Sequence, residues 1–279
     1  MDNINNISVP DFDEFSLFEM HKIIYSPFDD DCPIKINILS LETILSQCPI
    51  FNILIGFLSR IGEENIKLTT KGNLPIKVIK DIYNLNLLPD KYIENGISKI
   101  RTETDWTVLH NVRIVLTMAG LIRGQKSKLL LTRKCEKLLK DNNYSELFYE
   151  FIKTFTLQFS WAFNDRYANQ DIGQIAFLYS LYLINKHGIE FKDIDYFTNL
   201  YFAAFPNLLA KPETDLDKYS FRASSYYTRL IERFAVWFGF VEEEINEDKS
   251  YIGRIKRTKL LQGLLQVKSA TICNIYRIN

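Results

Sequence analysis

Glycine and proline are scarce, at 11 and 8 of 279 residues. Turn-rich all-β folds need many of both, so helices are favoured. There are only three histidines and four cysteines. No two cysteines form a CxxC pair, so a Cys/His zinc site lacks its paired ligands and no metal is expected. Cys32, Cys48, Cys135 and Cys273 are scattered, which reads as reduced thiols of a cytoplasmic protein. No run of about 18 apolar residues occurs, so no membrane span is expected. The start, MDNINNISVPDFDEF, is acidic and polar, unlike a secretory signal. The chain also lacks G-x-S-x-G, a P-loop, HExxH and a dinucleotide glycine motif, so neither a catalytic centre nor a cofactor is expected.

Apolar residues make up 47% and aromatics 14%, enough for a packed core. Net charge is zero, but the sum hides a pattern. Residues 1–59 carry two bases and nine acids, and residues 60–140 sixteen bases and eight acids. Residues 141–248 carry nine bases and seventeen acids, and residues 249–279 seven bases and no acid. Acidic and basic blocks can cover each other, within the chain or between copies. Alternatively the basic blocks form a surface for phosphates, where clustered Lys and Arg release counterions.

One local order occurs twice. WTVLHNVRIVLTMAG reads as a helix stopped by Gly120, where a left-handed residue is cheap only for glycine. LIRGQKSKLLL follows as two short strands around a basic turn. Thr132 then caps the helix RKCEKLLK. Further on, SSYYTRLIERFAVWFG stops at Gly239, FVE and YIGRIKR flank a charged turn, and Thr258 caps KLLQGLLQ. A partial third copy is suggested by a helix, a glycine at Gly62, the strand NIKL, and Thr69 or Thr70 before the next helix. Upstream of Trp106, NLPIKVIKDIYNL and PDKYIENGISKI read as further helices, with Thr104 or Asp105 as a cap before WTVLH. Helices followed by a two-stranded wing are the parts of a winged-helix unit.

KLTTKGNLP, followed by WTVLHNVRIVLTMAGLIRGQKSKLLLTRKCEKLL, resembles a set of bacterial proteins of unknown function. Their shared segment reads LT-x-x-GNLP, a helix, AGL-(I/V)-R, a strand and LT-x-x-G. The likeness covers about residues 65–140 and departs at Cys135, where the pattern prefers glycine. It implies a winged-helix-like shape and no catalytic residues.

If the first unit meets nucleic acid, the helix Trp106 to Ala119 is the one placed to read bases. Only Asn111 and Arg113 on it resemble base readers. Arg123, Lys126 and Lys128 on the wing, with Arg133 and Lys134 after it, suit phosphate. The second unit suits it poorly, because its turn, EEEINED, repels phosphate.

Residues 145–210 are helical and rich in aromatics, with Phe148, Phe151, Phe155, Phe159 and Phe163 at steps of three and four. NDRYANQD is the polar knot within them. Asp165 and Asp171 there read as loop or ion-pair residues, with a small acid–base site as the alternative.

The expected fold is mainly α with small β-hairpin wings: tandem winged-helix-like units around an aromatic helical core. The expected segments are an acidic N-terminal piece (1–48), a first unit (49–140), the aromatic core (141–215) and a second unit (216–279). The expected role is a non-enzymatic binding module acting through a protein partner or self-association. Nucleic-acid binding through the basic wing 121–140, in a transcription-related role, is the alternative.

Overall fold

A computed structural model describes residues 4–38, 44–167, 169–209, 218–246 and 251–268. It is mainly helical, 54% helix and 12% strand, with small antiparallel sheets. The chain divides into two compact units, one formed by Met1–Leu41 with Ser160–Asn279, the other by Glu42–Phe159. Below, these are the split unit and the continuous unit.

The split unit begins with helix α1 (Leu17–Tyr25). Ser16 and Glu19 form a reciprocal capping box at its start, satisfying two otherwise orphaned N–H groups. Strand β1 (Ile34–Ile36) follows.

The continuous unit opens with α2 (Pro49–Glu64), whose proline sits in the first turn, where a missing N–H costs nothing. α2 buries Ile50, Ile53, Leu54, Phe57, Leu58 and Ile61 on its inner side. It runs through Gly62 and stops at Asn65, which takes the left-handed conformation (φ 50°). Residues 66–68 are extended. Next come α3 (Ile76–Tyr83), α4 (Lys91–Glu94) and α5 (Thr107–Met118). Asp90 caps α4 through the N–H groups of Tyr92 and Ile93. Before α5, the capping box is Thr102 with Asp105. Strands β2 (Ile122–Gln125) and β3 (Lys128–Leu131) form a hairpin closed by a two-residue turn. Lys126 and Ser127 both have positive φ, 46° and 59°. That is the primed geometry which matches strand twist. Helices α6 (Arg133–Lys140) and α7 (Tyr144–Leu157) complete the unit.

The expected partial third copy is instead the outer strand of this sheet. Lys67 bridges Lys128, with the Leu68 N–H on Ser127 O at 2.9 Å and the Leu129 N–H on Ile66 O at 2.8 Å. The sheet order is thus 66–68, β3, β2. Neither Thr69 nor Thr70 caps α3, whose N-cap is Pro75. Thr69 Oγ1 instead accepts the Asn73 N–H at 3.0 Å and tightens the loop.

The split unit resumes with α8 (Phe177–His187), strand β4 (Lys192–Asp193) and α9 (Ile194–Ala204). Helix α10 (Lys218–Tyr226) continues as a π-helix through Tyr227–Val236. Strands β5 (Val241–Asn246) and β6 (Tyr251–Arg257) form a sheet with β4, in the order β4-β6-β5. Helix α11 (Lys259–Leu264) and strand β7 (Leu265–Val267) follow, and β7 pairs with β1 from the N-terminal segment.

The two hairpins are held by the same hydrogen bonds. Gly120 and Gly239 have φ of 67° and 70°. The Leu121 N–H reaches Leu116 O at 2.9 Å, and the Phe240 N–H reaches Ala235 O at 2.8 Å. The Thr132 N–H meets Leu121 O at 3.0 Å, as the Thr258 N–H meets Phe240 O at 3.0 Å. Thr132 Oγ1 donates to Gly120 O and Thr258 Oγ1 to Gly239 O, both at 2.8 Å. Each hydroxyl then accepts a first-turn N–H, from Cys135 at 3.3 Å and from Leu261 at 3.2 Å. One threonine therefore ties the end of one helix to the start of the next across each sheet.

The aromatic block is divided. Phe148, Phe151 and Phe155 of α7 are buried in the continuous unit, while Tyr179, Phe197 and Tyr201 are buried in the split unit. Helical spacing marks which side of a helix is buried, but not which core receives it.

Candidate nucleic-acid interface

In an antiparallel ladder, directly opposed residues share a face. Arg123 stands opposite Leu130, and Gln125 opposite Lys128. Lys67 stands opposite Lys128 on the other side. The outer face of this sheet therefore carries Lys67, Lys128, Gln125 and Arg123, and all four are exposed. The bonds flanking Lys67 and Lys128 run from Leu68 to Ser127 and from Leu129 to Ile66. The lysines are thus a non-hydrogen-bonded pair, the kind with Cα atoms only about 4.5 Å apart. Like charges so placed oppose folding. Among the described residues, no carboxylate pairs with Lys67, Lys126, Lys128 or Arg133, and Arg123 donates to Gln125 Oε1 at 2.8 Å. Lys134 pairs with Glu150 at 2.8 Å and remains half exposed.

Seven of the eight acids of residues 60–140 are occupied elsewhere, and the eighth, Glu136, is exposed on α6. Glu63, Glu64 and Asp81 converge on Arg60. Asp90 caps α4, Glu94 accepts from the Tyr83 hydroxyl, and Asp105 accepts the Arg101 and Thr102 N–H groups. Glu103 is buried, with its side chain 2% exposed. Its carboxylate takes the Leu74 N–H at 2.7 Å, His110 Nδ1 at 3.1 Å and the Arg113 guanidinium. Burial alone would raise its pKa. The hydrogen bonds from His110 and Leu74 and the Arg113 charge outweigh that and hold the carboxyl below its ordinary value.

These contacts decide the fate of the two expected base readers. Asn111 is buried, 5% exposed. Arg113 is fixed by Glu103 and also donates to Gly72 O at 2.9 Å. Neither side chain is free to reach a base edge. The GNLP motif has a structural role here: Gly72 turns at φ 80° and Leu74 anchors on Glu103, so the loop is pinned to α5. Arg123, Lys126, Lys128, Arg133 and Lys134 are all on the surface, on the hairpin or in the first turn of α6. Lys67 was not predicted. It lies 61 positions before Lys128, and only the strand pairing joins them.

The split unit gives a position-by-position contrast. Arg254 and Lys128 each lie four residues before the capping threonine. Arg254 has Asp193 opposite on one side and Glu244 on the other, and its Nη1 meets Glu244 at 2.8 Å. Lys128 has Lys67 and Gln125 there. Lys256 meets Glu242 at 2.8 Å, where the continuous unit has Leu130 and Arg123. One sheet is compensated and the other is not.

Asp165 is not available for acid–base work. It is paired with Arg229, and the two side chains are 1% and 0% exposed. Arg229 Nη2 reaches Asp165 Oδ1 at 3.1 Å, and its Nη1 reaches the carbonyls of Asn169 and Ile172 at 2.6 and 3.1 Å. The guanidinium closes the polar loop as a strut. Asp171 is exposed.

Among the described residues, no helix is long and apolar enough to cross a membrane, and no group of three His, Cys, Asp or Glu side chains is placed to hold a metal. Cys32, Cys48 and Cys135 are buried free thiols; burial pushes Cys48 and Cys135 up to about 12, so neither is a ready nucleophile. Comparison with protein-family models, with curated proteins and with solved structures finds no match.

Proposed function

We propose that the chain is a non-enzymatic binding module built from two winged-helix-like units, of which the continuous one contacts the phosphate backbone of nucleic acid. The winged-helix reading is supported by a similar order: a helix, an edge strand, then helices (α3 to α5 in the continuous unit, α9 and α10 in the split unit) and a hairpin, with the edge strand on the second hairpin strand in both units. The nucleic-acid reading is carried by one observation. Lys67 and Lys128 face each other without a carboxylate partner among the described residues, while the equivalent Arg254 sits between two acids. An anion laid across the first sheet relieves a repulsion that the fold itself leaves in place.

The test is fluorescence anisotropy with labelled genomic fragments at low salt. Binding is expected, and Lys67→Ala with Lys128→Ala should weaken it about tenfold or more. Arg254→Ala with Lys256→Ala should leave it unchanged. No binding at low salt contradicts the proposal.

A second reading, contact with a protein partner or a second copy of the chain, is favoured by α1. Phe18 and Tyr25 there are 54% and 70% exposed, an aromatic stripe on a helix otherwise anchored in its unit. Light scattering over a concentration series tests self-association, and a strict monomer removes it.

A further inference from the structure

We infer that the surface formed by Lys67, Lys128 and Arg123 takes a double-helical phosphate backbone, not a single strand, and takes it without regard to base sequence. The inference rests on the nucleic-acid reading above and names its substrate class.

Three observations lead to it. The first concerns stacking. Single-strand sites combine a basic track with aromatic rings on which the unstacked bases lie. The outer face here pairs Lys67 with Lys128, Lys128 with Gln125, and Arg123 with Leu130, and it holds no aromatic. Among the described residues of this unit, Tyr92 is the one strongly exposed aromatic, at 52%. Its ring lies on α4, with the Lys91 ammonium 5.3 Å from its centre. Nothing on the sheet offers a base a flat partner.

The second concerns base edges. α5 precedes the hairpin and is the element placed to enter a groove. Its Asn111 is buried and its Arg113 is spent on Glu103 and Gly72. The exposed Thr117 has its hydroxyl donated to Arg113 O at 2.8 Å. Without a free bidentate donor–acceptor fork, base pairs are not told apart.

The third concerns charge density. A duplex carries one charge per about 1.7 Å of axis, twice the density of either strand alone. The cations here are fixed on neighbouring strands of a paired sheet with a two-residue turn at its tip. A fixed array gains most from a regular lattice of phosphates. A flexible strand must be ordered before it can match.

The experiment uses the full chain and labelled oligonucleotides: two DNA duplexes of unrelated sequence, the RNA duplex of one of them, and each separated strand. The expected result is duplex binding at least about tenfold tighter than either strand, with the two DNA duplexes within about threefold of each other. The log–log slope against salt should be about −3 for three to four phosphates, and Lys67→Ala with Lys128→Ala should flatten it by about 2. The DNA and RNA arms show which double helix supplies the backbone, and either supports the inference. A single strand bound as tightly as the duplex, or a more than about tenfold preference between the two sequences, overturns it and leaves the phosphate-contact reading standing. No binding to any probe overturns both.

Discussion

Lys128 and Arg254 occupy the same place in two sheets of the same topology, four residues before Thr132 and Thr258, but only Arg254 has acids as cross-strand neighbours. Arg254 lies between Asp193 and Glu244, and Lys128 between Lys67 and Gln125. The folds of the two sheets rest on shared backbone hydrogen bonds. Their electrostatics rest on side chains that those bonds leave free. This separation is why stability and binding can be tested apart.

The threonines come first. Thr132→Ala removes the helix cap and the bond to Gly120 O, and Thr258→Ala does the same at Gly239. Each should cost about 1–2 kcal/mol in chemical denaturation, and serine should restore most of it. A change below about 0.3 kcal/mol at both sites would show that neither hydroxyl ties its helices together.

Much of this architecture is legible in the sequence because its signals are local. Gly120 and Gly239 mark helix ends by their conformation, and Thr132 and Thr258 mark helix starts by their hydroxyls. What is hidden is long-range. Lys67 looks like an ordinary charge before a turn until strand 66–68 lies against β3. Arg113 looks like a base reader until Glu103, ten residues earlier, folds under it. The aromatic run from 145 onward shows which sides are buried, yet it feeds two cores that part between Phe159 and Ser160.

Glu103 makes a pH prediction. Its carboxyl is held below its ordinary value of 4.5 in the folded chain, so it contributes stability above the unfolded-state value. That contribution is lost as pH falls through the depressed folded value. Unfolding free energy should therefore drop on acidification below about pH 4.5, and Glu103→Gln should flatten this part of the profile. At neutral pH the same variant should cost about 2 kcal/mol, because Arg113 loses its partner but still reaches water. A wild-type profile unchanged by the substitution would contradict the assignment.

Arg229 and Asp165 form the pair whose loss should be felt most. Both side chains are out of solvent, so Asp165→Ala leaves a buried guanidinium without its counter-charge. The expected cost is about 3–5 kcal/mol in urea denaturation. A shift under about 1 kcal/mol would show that the loop 163–173 is not closed by this strut.

On the proposed reading, sheet charge and not fold sets which unit meets phosphate. This is tested most directly by writing the split unit's acids into the continuous one, as Lys67→Asp with Gln125→Glu, and measuring nucleic-acid affinity by anisotropy at low salt. Lys128 then lies between two acids, as Arg254 does. The variant should be at least as stable as the parent, since a repulsive pair becomes an attractive one, and it should bind at least about tenfold more weakly. Undiminished affinity in a folded variant would contradict the account.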